Sequence, residues 1–230
     1  MRTIGMIGGM SWESSVEYYR LLNQGSKALL GGHHNARSLM LTVNFHDIEQ
    51  LQHQGRWDAL AEHMADAARQ LAAGGADCII LCTNTMHKVW PAIEQAVAIP
   101  VLHIADPTAA AIKRAGLSRV GLLGTRFTME QDFYRGRLEA MHGLQVLVPE
   151  EADRALVHSV IYDELCHGRI NDASRAEFQR VIQGFKEQGA QGVVLGCTEI
   201  MLLIKPEDSA LPTFDTTALH VQAALQWATA

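Results

Sequence analysis

Two short polar stretches carry the residue types best suited to chemistry: Thr83-Asn84-Thr85-Met86-His87 and Cys197-Thr198-Glu199. Each follows an apolar run that reads as a buried strand, and each precedes a helix start. Backbone N–H groups at such a point lack intrahelical partners and the dipole end is positive, so a carboxylate fits there. Gly8-Gly9-Met10-Ser11 and Gly124-Thr125-Arg126-Phe127-Thr128 are two further exits of this kind. Cys197 is the residue best able to exchange a proton near neutral pH. A thiol at a strand exit ahead of a helix is expected to ionise below its usual value of about 8.5. The competing reading is a small cysteine buried in a core, and position alone does not separate the two. Cys82 precedes Thr83 by one residue, so its side chain points to the opposite face of the strand. Cys78 and Cys82 are read as core. His87, and His103 near Asp106, are either acid–base partners or polar residues of a helix start.

The elements that position these residues follow from periodicity. Strands are predicted at 3–8, 38–43, 78–82, 100–103, 119–123, 144–148, 192–195 and 213–215. Helices are predicted over 11–30, 56–74, 106–116, 129–141, 151–166, 172–188 and 216–229. Leu60, Met64, Ala67, Ala68 and Leu71 lie at helical spacing. Strand and helix in alternation predict an α/β fold with mainly parallel sheets, whose ligands bind beyond the carboxyl ends of the strands.

The chain also resembles itself. Gly75-Ala76-Asp77-Cys78-Ile79-Ile80-Leu81-Cys82-Thr83-Asn84 aligns without a gap on Gly189-Ala190-Gln191-Gly192-Val193-Val194-Leu195-Gly196-Cys197-Thr198. Thr83 then falls on Cys197. Ile4-Gly5-Met6-Ile7-Gly8-Gly9 echoes Val120-Gly121-Leu122-Leu123-Gly124-Thr125 in the same order. Two pseudo-symmetric lobes follow, each a mainly parallel sheet flanked by helices, with the active site in the cleft between them. The expected domains are 1–108, completed by the C-terminal helix 214–230, and 109–213. Chance likeness between short apolar strands is the alternative.

Bulk properties narrow the class. The 230 residues are 48% hydrophobic with a net charge of -6, and no basic stripe suggests nucleic acid. No apolar run reaches the roughly 18 residues that span a bilayer. The first ten residues lack the pattern of a signal peptide, so a cytoplasmic location is expected. The four cysteines, Cys78, Cys82, Cys166 and Cys197, include no C-x-x-C pair, and no metal site is expected. His33 and His34 read as a solvated turn. The glycines near residue 8 form neither G-x-G-x-x-G nor G-x-x-x-x-G-K-[ST], which argues against a nucleotide.

Taken together, Ile4 to Met10 with Tyr18-Tyr19, Ile79 to His87, Gly124 to Thr128, and Gly196 to Glu199 resemble the aspartate/glutamate racemase family over essentially the whole chain. The resemblance is to its aspartate-racemase-like branch, the subgroup of broad or L-specific enzymes. Gly196-Cys197-Thr198-Glu199 matches the family's G-C-T-E, and Thr83 to His87 its C-N-T-x-H. The chain departs from the family at one point: the first catalytic cysteine, expected immediately before Asn-Thr, is Thr83. A one-residue slip to Cys82 would turn the side chain to the other face, so Thr83 is read as the altered catalytic position.

The resemblance implies racemisation of aspartate or glutamate without cofactor or metal, by a homodimer acting on a small amino acid. Two acid–base groups on opposite faces of a planar carbanion suit that reaction. Cys197 would take the α-proton of the L-enantiomer and the Thr83 side would return one. Asn84, Thr85, Thr125, Thr128, Thr198 and Glu199 are expected to bind substrate, with Met10 and Gln52 where the family lines its pocket and Glu164 on the pocket side. Arg126, Arg56 and Gln52 are candidates for a side-chain carboxylate. The alternatives are a maleate-isomerase-like or malonate-decarboxylase-like enzyme, and a non-catalytic dicarboxylate-binding module.

Overall fold

The computed structural model describes residues 1–230, and the chain divides into two compact units, 1–104 with 220–230, and 105–219. The first unit is built on strands β1 (Ile4–Gly8), β2 (Ser38–Thr42), β3 (Cys78–Leu81) and β4 (Val101–Leu102), with helices α1 (Trp12–Leu30), α2 (Phe45–His53), α3 (Trp57–Ala73) and α4 (Trp90–Ala96). Its sheet is parallel throughout, in the order β2-β1-β3-β4. β1 and β3 are buried at every residue, as central strands covered on both faces must be. Ile7, Ile79 and Leu81 face a core with Ile48 of α2 and Leu60, Met64 and Ala68 of α3. Met6, Cys78, Ile80 and Cys82 turn the other way, against Tyr18 and Leu22 of α1. Burying such an aliphatic side chain stabilises by about 1.5–3 kcal/mol.

The second unit repeats the plan. Its elements are α5 (Ala105–Arg114), β5 (Arg119–Gly124), α6 (Arg126–Glu130), α7 (Arg135–Ala140), β6 (Gln145–Leu147), α8 (Glu151–Asp163), α9 (Asp172–Glu187), β7 (Gly192–Gly196), α10 (Ile200–Leu203) and β8 (Thr213–Asp215). The sheet order β6-β5-β7-β8 has the same topology as the first, again all parallel. Leu123, Val193 and Leu195 pack on Val157 and Ile161 of α8 and on Phe178, Ile182 and Phe185 of α9. The last helix, α11 (Thr216–Thr229), begins in this unit, and from His220 onward it belongs to the first, where Val221, Ala224 and Leu225 close the α1 face of the sheet.

The internal echo extends to hydrogen-bond register. Ile4 pairs with Cys78 and Ile7 with Leu81; their counterparts Val120 and Leu123 pair with Gly192 and Leu195. Gly75 and Gly189, which turn the chain out of α3 and α9, both have positive φ (95° and 83°), a conformation that costs glycine little. Thr83 and Cys197 therefore stand at equivalent positions beyond the two central strands.

The structure departs from periodicity in several places. The single helix expected over 129–141 is two, α6 and α7. Thr125 starts α6 early by accepting from the Thr128 N–H (3.3 Å). Gln131 then adopts extended backbone, and the fully buried Tyr134 anchors the break. The helix expected to run to residue 166 ends at Asp163, followed by a 3-10 turn over Leu165–His167. α2 is not predicted, because only Ile48 and Gln52 are buried on it. α4 and the 3-10 turn Thr85–Val89 also escape a 3.6-residue pattern. No helix is long and apolar enough to cross a membrane.

Candidate active site

In the first unit the exits of β1 and β3 lie side by side, since the two strands pair in parallel. The β1 exit turns tightly: a Cβ on Gly9 would stand 2.3 Å from the Val43 carbonyl, so only glycine fits there. The Gly9 N–H donates to Ser15 Oγ (2.7 Å), which donates onward to the Ser11 carbonyl (2.9 Å). Met10 is buried beside Ile48 and Met86. Gln52 is also buried, with Nε2 3.2 Å from Met86 Sδ. Met10, Gln52, Thr83, Asn84 and Thr85 are thus gathered at the carboxyl end of the sheet.

Thr83 is held by its backbone. Its N–H donates to the Leu81 carbonyl (2.8 Å), and its own carbonyl lies 2.8 Å from His87 Nδ1. A carbonyl can only accept, so Nδ1 carries the imidazole proton; Nε2 accepts from the Ile104 N–H (3.2 Å). Both ring nitrogens are engaged, which makes His87 a neutral brace for Thr83. Its ring packs 4.5 Å from that of His103, which in turn meets Trp90. Cys82 turns away into the α1 core, where burial pushes its thiol far above the usual range. Burial, with the charge of Asp77, pushes Cys78 up to about 12. Neither supplies a thiolate near neutral pH, in keeping with their reading as core.

In the second unit the paired ends Gly124 and Gly196 set Thr125 beside Cys197. Thr125 Oγ1 lies 3.2 Å from Thr128 Oγ1. Cys197 is 8% exposed and packs with Leu195, Ile200 and Leu203. Its Sγ–H donates to Glu199 Oε2 at 2.9 Å, and Thr198 Oγ1 donates to the same oxygen at 2.8 Å. The expected lowering of the Cys197 pKa is overturned. Burial first, then the charges of Glu199 and Cys166, drive this thiol well above its ordinary value. The four-residue α10 offers too short a dipole to compensate.

The remaining candidates have partners of their own. Glu164 caps the end of α8 and accepts from Ser174 Oγ (2.7 Å). Arg126 is an exposed side chain 3.9 Å from Glu130, and Arg56 pairs with Asp58 on the surface. The contact of Glu199 with the Cys197 sulfur is a feature that sequence reasoning missed. The i, i+2 spacing at a strand exit was the available signal, but such spacing is common. No group of three or more His, Cys, Asp or Glu residues is placed to hold a metal ion.

Comparison with known proteins places the geometry in context. The family model described as Asp/Glu/Hydantoin racemase matches residues 7–224. A crystal structure from Yersinia pestis, provisionally described as an Asp/Glu racemase, is 51% identical over the full length of both chains, with a TM-score of 0.92. An aspartate racemase homologue from Pyrococcus horikoshii is 31% identical over the full length of both, with a TM-score of 0.86. The broad specificity amino-acid racemase RacX of Bacillus subtilis is 25% identical across 70% of this chain and 69% of its own. A glutamate racemase of Streptococcus sanguinis is 32% identical over 54% of this chain, a match spanning 46% of that longer protein.

Proposed function

The chain belongs to the Asp/Glu/hydantoin racemase family, and on that premise we propose that it racemises an acidic amino acid, aspartate or glutamate, without a cofactor. The observation that carries this reading is the equivalence of Thr83 and Cys197 beyond the two central strands, in registers that match residue for residue. Racemisation needs one group to remove the α-proton and another to return a proton to the opposite face of a planar carbanion. Cys197 removes the proton from the L-enantiomer. The Thr83 side delivers one, directly or through water, to give the D-enantiomer. A hydroxyl is hardly ionised near neutral pH, so Thr83 donates far more readily than it accepts. The backbone and side-chain donors of Asn84, Thr85, Thr125, Thr128 and Thr198 bind the α-carboxylate and stabilise enediolate charge. Met10, Gln52 and Glu164 are assigned to the rest of the substrate, and Glu199 stands beside Cys197. The enzyme works as a homodimer in the cytoplasm.

Chiral chromatography after incubation with L- and D-aspartate, L- and D-glutamate, and maleate tests this reading. The expected result is interconversion of the enantiomers of aspartate, glutamate or both, with maleate untouched. Turnover of maleate alone would place the chain with the related isomerases. Binding of the amino acids with no α-proton exchange would make it a dicarboxylate-binding module.

A further inference from the structure

We propose that Glu199 is the proton acceptor of Cys197, a buried carboxylate that takes the thiol proton so that the sulfur can act as a base. The inference rests on the reading of Cys197 as the base and concerns how that base is made ready. Glu199 Oε2 sits 2.9 Å from Cys197 Sγ, and it also accepts from Thr198 Oγ1 at 2.8 Å. Glu199 is only 2% exposed. A carboxylate withdrawn from water in this way needs donors, and here one of its donors is the sulfur itself.

The surroundings explain why an acceptor is required. Cys197 lies among Leu195, Ile200 and Leu203, and the titratable groups that face it are Glu199 and Cys166, the latter on the 3-10 turn after α8. Loss of the thiol proton to bulk water would leave a thiolate against a carboxylate, two negative charges in an apolar setting. Transfer to Glu199 instead leaves one. The S–H bond breaks, an O–H bond forms at Oε2, and the net charge of the pair is unchanged. The thiolate then takes the α-proton of the L-substrate and becomes a thiol again. The pair holds one proton before that step and two after it. Release of one to water resets it, while the Thr83 side regains the proton that it gave. Glu199 never touches substrate in this scheme; it acts through the sulfur.

While the pair shares one proton, the fraction present as thiolate is fixed by the internal equilibrium between sulfur and carboxylate and does not change with pH. Alkylation of Cys197 by iodoacetamide reads that fraction without any substrate, so it stands or falls separately from the racemase reading. The measurement uses the full-length Cys166→Ser protein, to remove the neighbouring thiol, with the rate at Cys197 followed by peptide mass spectrometry. The expected profile is a plateau through the neutral range, followed by a rise in alkaline solution. Glu199→Gln keeps the shape and an acceptor oxygen but cannot take a proton. Its alkylation rate should rise in direct proportion to hydroxide with no plateau, and its racemase kcat should fall about a hundredfold. If the protein with Glu199 intact shows a rate proportional to hydroxide through the neutral range, the proposal is wrong. The same holds if Glu199→Gln retains the plateau. Because the profile of the protein with Glu199 intact decides the question by itself, a poorly folding Gln variant does not remove the test.

Discussion

Thr83 and Cys197 occupy equivalent places in sequence and in structure, yet they are chemically unequal. Cys197→Ala is expected to abolish racemisation, by at least about a thousandfold. Thr83→Ala should lower racemisation about a hundredfold while L-substrate still exchanges its α-proton. Thr83→Cys, which restores a thiol at the equivalent position, should retain or exceed the original rate. Steady-state kinetics with chiral detection checks all three, and full activity in Cys197→Ala would contradict the assignment. Both positions were legible from the gapless match of residues 75–84 with 189–198. The state of the thiol was not. A strand exit before a helix suggests a lowered pKa, but the lowering needs solvent and a helix long enough to carry a dipole. Cys197 has a four-residue helix, an apolar pocket and a carboxylate on its sulfur. The sequence leaves the role of His87 equally open, and the structure engages both of its ring nitrogens.

At the scale of elements, the eight strands follow from short apolar runs, and the mark is plainest for β1, β3, β5 and β7, which are buried on both faces. Short helices leave little. α2 buries two residues, and the break between α6 and α7 depends on a cap and one buried tyrosine. The joint between α5 and α7 is held by a cluster that pattern reading does not expose. Arg137 donates to both oxygens of Asp106, Nε to Oδ1 at 2.7 Å and Nη2 to Oδ2 at 2.8 Å, and His142 Nε2 lies 3.0 Å from Oδ1. Partial burial disfavours the Asp106 carboxylate, but these hydrogen bonds outweigh it and hold its pKa below the ordinary value. A carboxylate held low in the folded state adds stability above its unfolded pKa of about 3.9, and loses it as the pH falls through the folded value. Asp106 keeps 40% of its side chain exposed, so solvent screening limits the contribution to about 1 kcal/mol. Asp106→Asn should therefore unfold at lower urea concentration at pH 7, and the gap from the unaltered protein should narrow as the solution is acidified below pH about 4. A gap independent of pH would show that the carboxylate charge is not what matters.

At the scale of the whole molecule, the chain leaves the first unit after Ile104 and returns to it at His220. The returning half of α11 covers Tyr18, Leu22, Ile80 and Cys82. His220 fastens it, with Nδ1 3.0 Å from Tyr18 Oη and Nε2 3.0 Å from the Leu102 carbonyl. Removal of residues 220–230 would strip several fully buried side chains of their cover at about 1.5–3 kcal/mol each, a large part of the 5–15 kcal/mol that usually stabilises a domain. The truncated chain should lose its cooperative thermal transition, and Cys82 should become open to iodoacetamide in native buffer. A truncated chain with an unchanged Tm and a protected Cys82 would refute this. The repeat, read as two lobes, showed in the sequence because each unit has to solve the same burial problem with its own sheet. The central claim is that two unequal groups share one proton-transfer reaction, and hydrogen exchange tests it most directly. With L- and D-aspartate and glutamate incubated separately in D₂O and followed by proton NMR and chiral chromatography, L-substrate should gain deuterium at Cα faster than it racemises, and D-substrate should exchange slowly. Equal exchange from both enantiomers would contradict the account.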